Sequence, residues 1–561
     1  MTQKVTRATV NPWLVLGLIC LPIFIGSLDL TIVSAFLPEI LLKLGLPLQS
    51  SLDEASWVVS GYLLAYAISM MFMGRVSDLI GRRKVYVTCL LIFVVGSVLV
   101  ATAHTWPTDI LYLAARRLGQ RPEKEVMTLL AIIIGRIVQA LGAGALVPVS
   151  LALVGDLFPP ERRAQPLGVV GAIDTLGWVL GHLYGGILVS FFATHQDSFT
   201  NLLSGLGWPP PDWRTLFWIN VPLTLIGLAF TLYALRNVPE KRAKGRFDLL
   251  GTLLIAGSLI ALVVGLGGNV DVSLSPSNIT DTSSLPPLNG PVLLIALVAL
   301  IGFVLVESRL RDPLIQLKLF RRRNLASGAI INLFIGFCLM IGLVTVPILV
   351  NVRVQDSSQL SEAALQTGIL LSALTVPMAL AAIPGGWLSD RIGFKKTTII
   401  GLVLAGIGFT LIWQTWTLTM SDGLVAVEMI FVGVGIGLTF SPISAAVINS
   451  ADEDHRGVAS ALVIILRLIG MTVAVASLTN FALHRINNLA AVELGGALQS
   501  GDQTMAFINA YAGIAVRVLG ELGLMGAVLC LLALIPAAFG MKAEVTPLPL
   551  VEEHNVKAAG D

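Results

Sequence analysis

The chain is short of charge: Asp, Glu, Lys and Arg supply 12% of its 561 residues, where a soluble domain carries roughly 25%. With a mean hydropathy of +0.85, that excludes a water-soluble globular protein. The formal net charge is only +2, which gives no sign of a nucleic-acid partner. Cysteine is scarce too. Cys20, Cys89, Cys338 and Cys530 all fall in apolar runs, where they read as small core residues without disulfides. No HExxH, nucleophile elbow or Cys/His cluster occurs, so no catalytic residue, metal or cofactor is indicated. A phosphate-cradling Gly-x-x-x-x-Gly-Lys-Ser/Thr stretch is also missing, which argues against direct use of ATP. The first apolar run follows Lys4 and Arg7 without a small-residue cleavage site, so it reads as a retained helix and not a signal peptide.

Long apolar runs are what the chain does have. A membrane span needs about 20 apolar residues. On that rule there are fourteen: 14–37, 56–74, 85–104, 128–151, 167–191, 215–235, 248–268, 291–307, 325–350, 363–388, 397–417, 424–447, 458–482 and 513–540. The expectation is an all-α, multi-pass membrane protein with both termini on one side. Basic residues identify that side. With a cytoplasmic amino terminus, inner segments hold 25 of the 36 Lys and Arg, outer segments hold 8, and Arg136, Arg467 and Arg517 lie within spans. That bias places both ends in the cytoplasm, in a bacterial-type inner membrane.

The chain repeats itself. Residues 74–84 read Gly-Arg-Val-Ser-Asp-Leu-Ile-Gly-Arg-Arg-Lys, and 386–396 read Gly-Trp-Leu-Ser-Asp-Arg-Ile-Gly-Phe-Lys-Lys, an offset of 312. Further on, Glu161-Arg-Arg-Ala aligns with Asp454-His-Arg-Gly at an offset of 293. An insertion from Trp106 to about Val126 accounts for the difference. Spans 1–6 and 9–14 are therefore two copies of a six-helix bundle, with spans 7 and 8 as an extra pair. The domains expected are 1–240, 241–315 and 316–541, followed by a tail at 542–561. Parallel six-helix repeats are the mark of the major facilitator fold, whose substrate site lies between the halves near mid-membrane. The 106–126 insertion fits an amphipathic helix on the outer surface and a plain loop equally. The loops at 193–213 and 269–289 are long and polar, and the Asn278-Ile279-Thr280 sequon within the second reads as chance.

Each repeat loop places a carboxylate at a turn that a glycine permits. Gly74, Asp78, Gly81, Arg82 and Arg83, with Asp390 and Gly393, are gating candidates; the bland reading is a basic loop that only holds topology. Ionisable groups inside a membrane are functional candidates by default. Asp29 and Arg136 each lie eight residues from the outer end of their helix, at a depth of about 12 Å. Equal depth and opposite charge suggest a pair facing the central cavity, which either couples proton entry to export or merely fixes packing. Asp174, Trp178 and His182 share one helix face, beside a Gly177, Gly181 and Gly185 stripe suited to close helix contact. Adding 293 to 174 gives Arg467, so these two opposite charges hold equivalent places in the two halves and are candidates for coupling. Weaker candidates are Glu521, in i, i+4 relation to Arg517, and Glu428, expected near water at the outer end of its helix. His104, His195 and His484 read as solvated.

Several stretches carry a family likeness. Leu28-Asp29-Leu-Thr-Ile-Val with Leu37-Pro38, the Gly74–Lys84 loop, Arg136-Ile-Val-Gln139-Ala-Leu-Gly142, Phe217-Trp-Ile-Asn220-Val-Pro222 and Arg467-Leu-Ile-Gly470 together resemble the fourteen-helix drug:proton antiporter family of the major facilitator superfamily. In the fourth of the six spans Ala140 stands where that family usually has Gly. In the fifth, Trp178 and His182 replace its usual prolines, so the kink is not carried over. Within the family, Asp29, the Gly-His-Leu-Tyr184-Gly region, Ser444-Ala-Ala, His484-Arg-Ile-Asn487 and Gly520-Glu521 are similar to the mycobacterial triacylglyceride exporters. Those carry an acidic residue on helix 5 too, which here appears one position earlier as Asp174.

The resemblance implies a proton-coupled secondary exporter of hydrophobic molecules, lipids or drugs, working by alternating access and as a monomer. Its partners would be protons, membrane lipids, a lipid-like cargo entering from the bilayer and a periplasmic lipid carrier. Asp29 would be the main proton site, modulated by Arg136, with Asp174 and Arg467 coupling gating to cargo and Trp178, His182, Glu428 and Glu521 lining the cavity. The rivals are a narrow multidrug:proton antiporter, a membrane receptor, and a lipid enzyme, for which no convergent acid, base or metal set can be assembled.

Overall fold

The apolar runs become helices because a backbone in lipid must satisfy its own hydrogen bonds. The computed structural model describes residues 11–33, 37–45, 48–120, 122–195, 199, 211–240, 242–243, 245–266, 289–310, 313–315, 317–353, 360–500 and 505–542. The asparagine sequon, most of the two long loops and nearly all of the tail lie outside them.

The first bundle is built from α1 (Pro12–Ile32), α3 (Leu48–Ile80), α4 (Arg82–Ala101), the consecutive α6 (Lys124–Ala143) and α7 (Leu146–Leu157), α8 (Ala164–Thr194) and α9 (Trp213–Ala234). A short α2 (Leu37–Leu44) and the insertion helix α5 (Trp106–Arg117) complete it. An extra pair follows, α10 (Leu249–Gly265) and α11 (Gly290–Arg309). The second bundle contains α12 (Arg323–Arg353), α13 (Leu360–Ile392), α14 (Phe394–Thr415), α15 (Asp422–Asn449), α16 (Arg456–Ser500) and α17 (Met505–Ile535). Twelve helical spans among the described residues are long and apolar enough to cross a membrane. Helices α8 and α10 occupy the other two expected positions.

Packing divides the helices as the repeat predicts. Helix α1 packs on α8 and α9, and α4 on α6; in the second bundle α13 and α14 pack on α15, and α12 on α16. Helices α10 and α11 pack mainly on each other. Two seams join the bundles, α8 against α13 and α3 against α16. The expected glycine stripe of α8 does serve close packing. A Cβ on Gly177 would sit 2.6 Å from the Ser27 Cβ, and one on Gly181 2.4 Å from the Leu28 carbonyl, so only glycine lets α8 lie against α1 here.

The structure closes one open alternative and changes one expectation. The insertion is a helix, amphipathic, with Ile110 and Leu113 exposed and Pro107 and Thr108 buried. Helix α16 does not stop near 482 but runs 45 residues, about 67 Å at the α-helical rise, well beyond a hydrocarbon core of about 30 Å. Polar residues such as His484, Arg485 and Asn487 ended the apolar run, yet they continue the helix. All four cysteines are free.

Candidate functional site

At one end of the molecule the two repeat loops each clasp the opposite bundle. Gly81 and Gly393 have φ of 105° and 90°, the left-handed region that glycine enters without steric cost. These turns let α3 and α13 end and the basic clusters start α4 and α14. Both carboxylate oxygens of Asp78 accept from the Gly457 amide, at 3.0 and 3.1 Å, at the start of α16. Its repeat partner Asp390 accepts from the Ala164 and Gln165 amides, each at 3.2 Å, at the start of α8. A helix amino terminus offers unpaired N–H groups and a positive dipole end, so each carboxylate is held by both. The backbones meet as closely as glycine allows. A Cβ on Gly74 would lie 2.3 Å from the Gly457 carbonyl oxygen, and one on Gly386 2.5 Å from that of Ala164.

Side chains extend the first clasp into an ionic net. Arg82 pairs with Asp78 at 3.1 Å and with Asp156 at 2.5 Å, and Arg456 of the second bundle reaches Asp156 at 2.9 Å. In the second copy, Arg163 donates to Asn449 at 2.7 Å. Burial first, and Arg456 second, push the Arg163 guanidinium down to about 10, which leaves it charged at neutral pH. Arg83 is half-buried and, among the described residues, joins no ion pair. The sequence did not single out Asp156, Asn449 or Arg163; the signal was the second repeat offset, which maps Asp156 onto Asn449 and Arg163 onto Arg456.

Deep in the first bundle, Asp29 and Arg136 are joined. The guanidinium donates to the Asp29 carboxylate at 2.5 Å and to its backbone carbonyl at 3.1 Å. Gln139 and Asn220 donate to the other carboxylate oxygen at 3.0 and 2.7 Å. Arg136 also donates to Gln139 at 2.7 Å and lies 3.8 Å over the Tyr62 ring. Asp29 and Arg136 are both 0% exposed. The equal-depth pairing is therefore real, but its expected place facing the central cavity is not. Helices α1, α3, α6 and α9 enclose it, because Gln139 and Asn220 supply the hydrogen bonds that water would otherwise give.

Of the deeply placed carboxylates, Asp174 does stand between the bundles. It accepts from the Ser27 hydroxyl at 2.7 Å and lies 3.8 Å from Arg467 of α16. Arg467 also sits 4.5 Å over the Phe440 ring. The pair retains 13% and 16% side-chain exposure, so it is not sealed as Asp29 is. Repeat arithmetic thus finds a contact across the molecular pseudo-twofold.

Other candidates fall elsewhere. Trp178 is half-buried on α8, where its carbonyl accepts from Thr31. His182 is on the same helix, but its side chain lies outside the described residues. Glu428 is not near water: it is 1% exposed and accepts from Thr415 at 2.6 Å and Trp416 at 2.8 Å, which makes it a brace for the end of α14. Glu521 does not pair with Arg517. It takes a bidentate bond from Arg485, at 2.9 and 3.1 Å, while Arg517 reaches Glu493 at 2.7 Å. The long α16 brings both partners alongside α17. Among the described residues no group of three or more His, Cys, Asp or Glu could hold a metal.

Comparison with known proteins places this arrangement. Residues 19–475 match the family described as Major Facilitator Superfamily. Proteins named triacylglyceride transporter are 31% identical in Mycobacteroides abscessus, over 83% of this chain and 81% of that one, and 31% in Mycobacterium tuberculosis, over 84% and 83%. The counterpart in Mycolicibacterium smegmatis is 30% identical over 91% and 84%. Among solved structures, the proton:xylose symporter XylE aligns with TM-score 0.53 at 16% identity, covering 92% of this chain and 94% of that one. The human organic anion transporter MFSD10 aligns at 0.51 and 17%, covering 93% and 100%. These structural likenesses establish the fold alone.

Proposed function

The chain belongs to the Major Facilitator Superfamily and is a multi-pass membrane transporter, not an enzyme, and from that premise we propose that it exports lipid-like hydrophobic molecules in exchange for protons. The observation that carries this reading is the Asp174–Arg467 pair, 3.8 Å apart across the two bundles. Opposite charges in an apolar interior attract strongly when water is excluded. A proton on Asp174 cancels that attraction and frees α8 to move against α16. Asp29 is the main proton site. It is sealed in this latched state and exchanges its proton when rocking shifts α1, which carries both Asp29 and the Ser27 hydroxyl bound to Asp174. Arg136 modulates that exchange through its bond to the Asp29 carboxylate.

We assign the latched end to the cytoplasm, since the basic residues concentrate there. The structure is then closed inward, with both termini cytoplasmic in a bacterial-type inner membrane. The bundles correspond to residues 1–240 and 316–541, with the extra pair at 241–315, and the unit works as a monomer that hands cargo to a periplasmic carrier. The names of the relatives favour a triacylglyceride-like cargo over drugs. A narrow multidrug antiporter is the second reading, since an apolar cavity binds either class by area and shape.

Proteoliposome flux under an imposed pH gradient tests the proposal. Asp29→Asn should abolish gradient-driven flux while the protein stays folded and monodisperse. Undiminished flux in that variant removes Asp29 from the mechanism. Asp174→Asn should leave measurable flux with a changed pH profile; an unchanged profile removes the coupling role of Asp174. A fluorescent triacylglycerol and a cationic dye run in parallel separate lipid from drug.

A further inference from the structure

Two carboxylates outside the coupling and gating residues meet where the extra helix pair joins the bundles. Asp248 caps the start of α10, and Glu307 lies in the last turn of α11. They are 9% and 3% exposed, and among the described residues neither joins an ion pair. Gly251 makes the meeting possible. A Cβ there would stand 2.1 Å from Asp248 Oδ2 and 2.6 Å from Glu307 Oε1, so the two oxygens crowd one point. Three of the four carboxylate oxygens have a donor. Asp248 Oδ1 accepts from the Gly251 amide at 2.9 Å, while Glu307 Oε1 and Oε2 accept from the Leu314 and Ile315 amides, each at 3.2 Å. The fourth, Asp248 Oδ2, is buried and has none. Orphaned buried acceptors are rare, and the neighbour of this one is another acceptor.

A proton on Asp248 Oδ2 turns it into a donor toward Glu307 Oε1 and supplies the one hydrogen the cluster lacks. Two buried carboxylates this close repel strongly when both are ionised, and the charges around them do not relieve it. Helix α10 carries no charged side chain. Arg246 and Arg309, two residues from either member, are exposed, as are Lys318 and Arg321 beyond the linker. Helix α3, which packs on α10, brings Arg75 and Asp78 to this end. Both are engaged at the first clasp, Arg75 with the Asp454 carbonyl and Asp78 with Gly457 and Arg82.

The connection between the bundles passes this point twice. The incoming segment is fixed to the first bundle, where the Ala243 amide donates to the Asp78 carbonyl at 2.8 Å. The outgoing segment folds back on Glu307 and buries Leu314, Ile315 and Leu319 before α12 begins. We propose that Asp248 and Glu307 share one proton and form a pH-sensitive joint between the bundles, short while the proton is held and slack once it is lost. Loss of the proton leaves two negative charges at one point. Glu307 then gives up the Leu314 and Ile315 amides, and each residue released adds up to about 3.5 Å of reach. The folded-back tether is stable below the pH at which the pair loses its shared proton, and that stability is lost as pH rises through it. A slack tether favours parting of the latched end, so alkalinity on that side promotes opening. The joint lies outside the cargo path and stands whether or not Asp29 and Asp174 couple protons to transport.

Amide hydrogen exchange at Leu314 and Ile315 tests this, in the full chain in nanodiscs and corrected for the intrinsic effect of pH. Between about pH 6 and about pH 9, protection in the native protein should fall by about tenfold or more. Asp248→Asn puts an N–H donor permanently where the proton sits, while its carbonyl still accepts from Gly251 and the residue remains a good cap. Its protection should stay high across the range. Glu307→Ala removes the acceptor and should leave protection low at every pH. Infrared spectra at the acidic end should show a protonated-carboxyl C=O band in the native protein that is absent from Asp248→Asn. Should Asp248→Asn not fold, Glu307→Gln supplies the donor from the other side, keeps one amide bond and should likewise remove the pH dependence. An unaltered pH dependence in the folded variant overturns the joint. So does protection that follows sodium or magnesium concentration at fixed pH, which would make the pair a cation site.

Discussion

The clasp around Asp78 and the clasp around Asp390 share a backbone design and differ in their chemistry. Both place a carboxylate on the amino terminus of a helix from the opposite bundle, and both bring glycine against a backbone carbonyl. The first is reinforced by Arg82, Asp156 and Arg456. The second has Phe394 and Asn449 at the corresponding places, and Asn449 accepts from Arg163 and donates to the Pro160 carbonyl without an ion pair. The shared part is what allows the bundles to meet. The unequal part decides which seam holds longer when they begin to separate. A transporter that must open repeatedly gains from one strong seam and one weak one, since two ionic seams would hold the latched state too firmly.

Steric changes should erase the difference between the clasps, and they should have the largest effect. Gly74→Val and Gly386→Val both push a side chain into a carbonyl about 2.3–2.5 Å away. Each should cut reconstituted flux by about a hundredfold or more, and a large gap between the two would mean the backbones do not meet equivalently. Charge removal should expose the difference. Asp78→Asn gives up charge-assisted bonds worth about 2 kcal/mol, so spin-label distances across this end should show about a 30-fold shift toward the open state. For Asp390→Asn, which loses no arginine partner, the loss is about 1 kcal/mol, or roughly fivefold in the same measurement. An equal response of the two variants would deny the ionic net its role. The smallest effect is expected from Asn449→Asp, which gives Arg163 an ionic partner. It should slow opening by about threefold at low salt, with the gain fading as salt screens the pair.

Much of this machinery was legible before any coordinates. The repeat offset alone aligned Asp174 with Arg467, and equal depth matched Asp29 with Arg136, because both are consequences of fixed helical rise and duplicated length. Neither argument could say what surrounds a residue. Asp29 was expected at a cavity wall and is instead enclosed by Gln139 and Asn220 from two other helices. Glu428 was expected near water and is capped by Thr415 and Trp416, which lie across a turn whose geometry hydropathy does not encode. Glu521 and Arg517 exchanged their expected contact for Arg485 and Glu493. That happened because α16 stays helical past the point where its apolar run ends.

Amino-acid order by itself determined that this chain crosses a membrane many times, in two related bundles, with charged loops on one face and a few costly ions inside. Those are one-dimensional properties: run length, offset and the transfer cost of charge. Tertiary structure alone decided which of those ions is sealed and which stands at the seam, and that one repeat carries an ionic net while the other does not. Burial and partnership depend on groups brought together from distant helices, and a sequence records such neighbours only where a repeat or a matched depth happens to betray them.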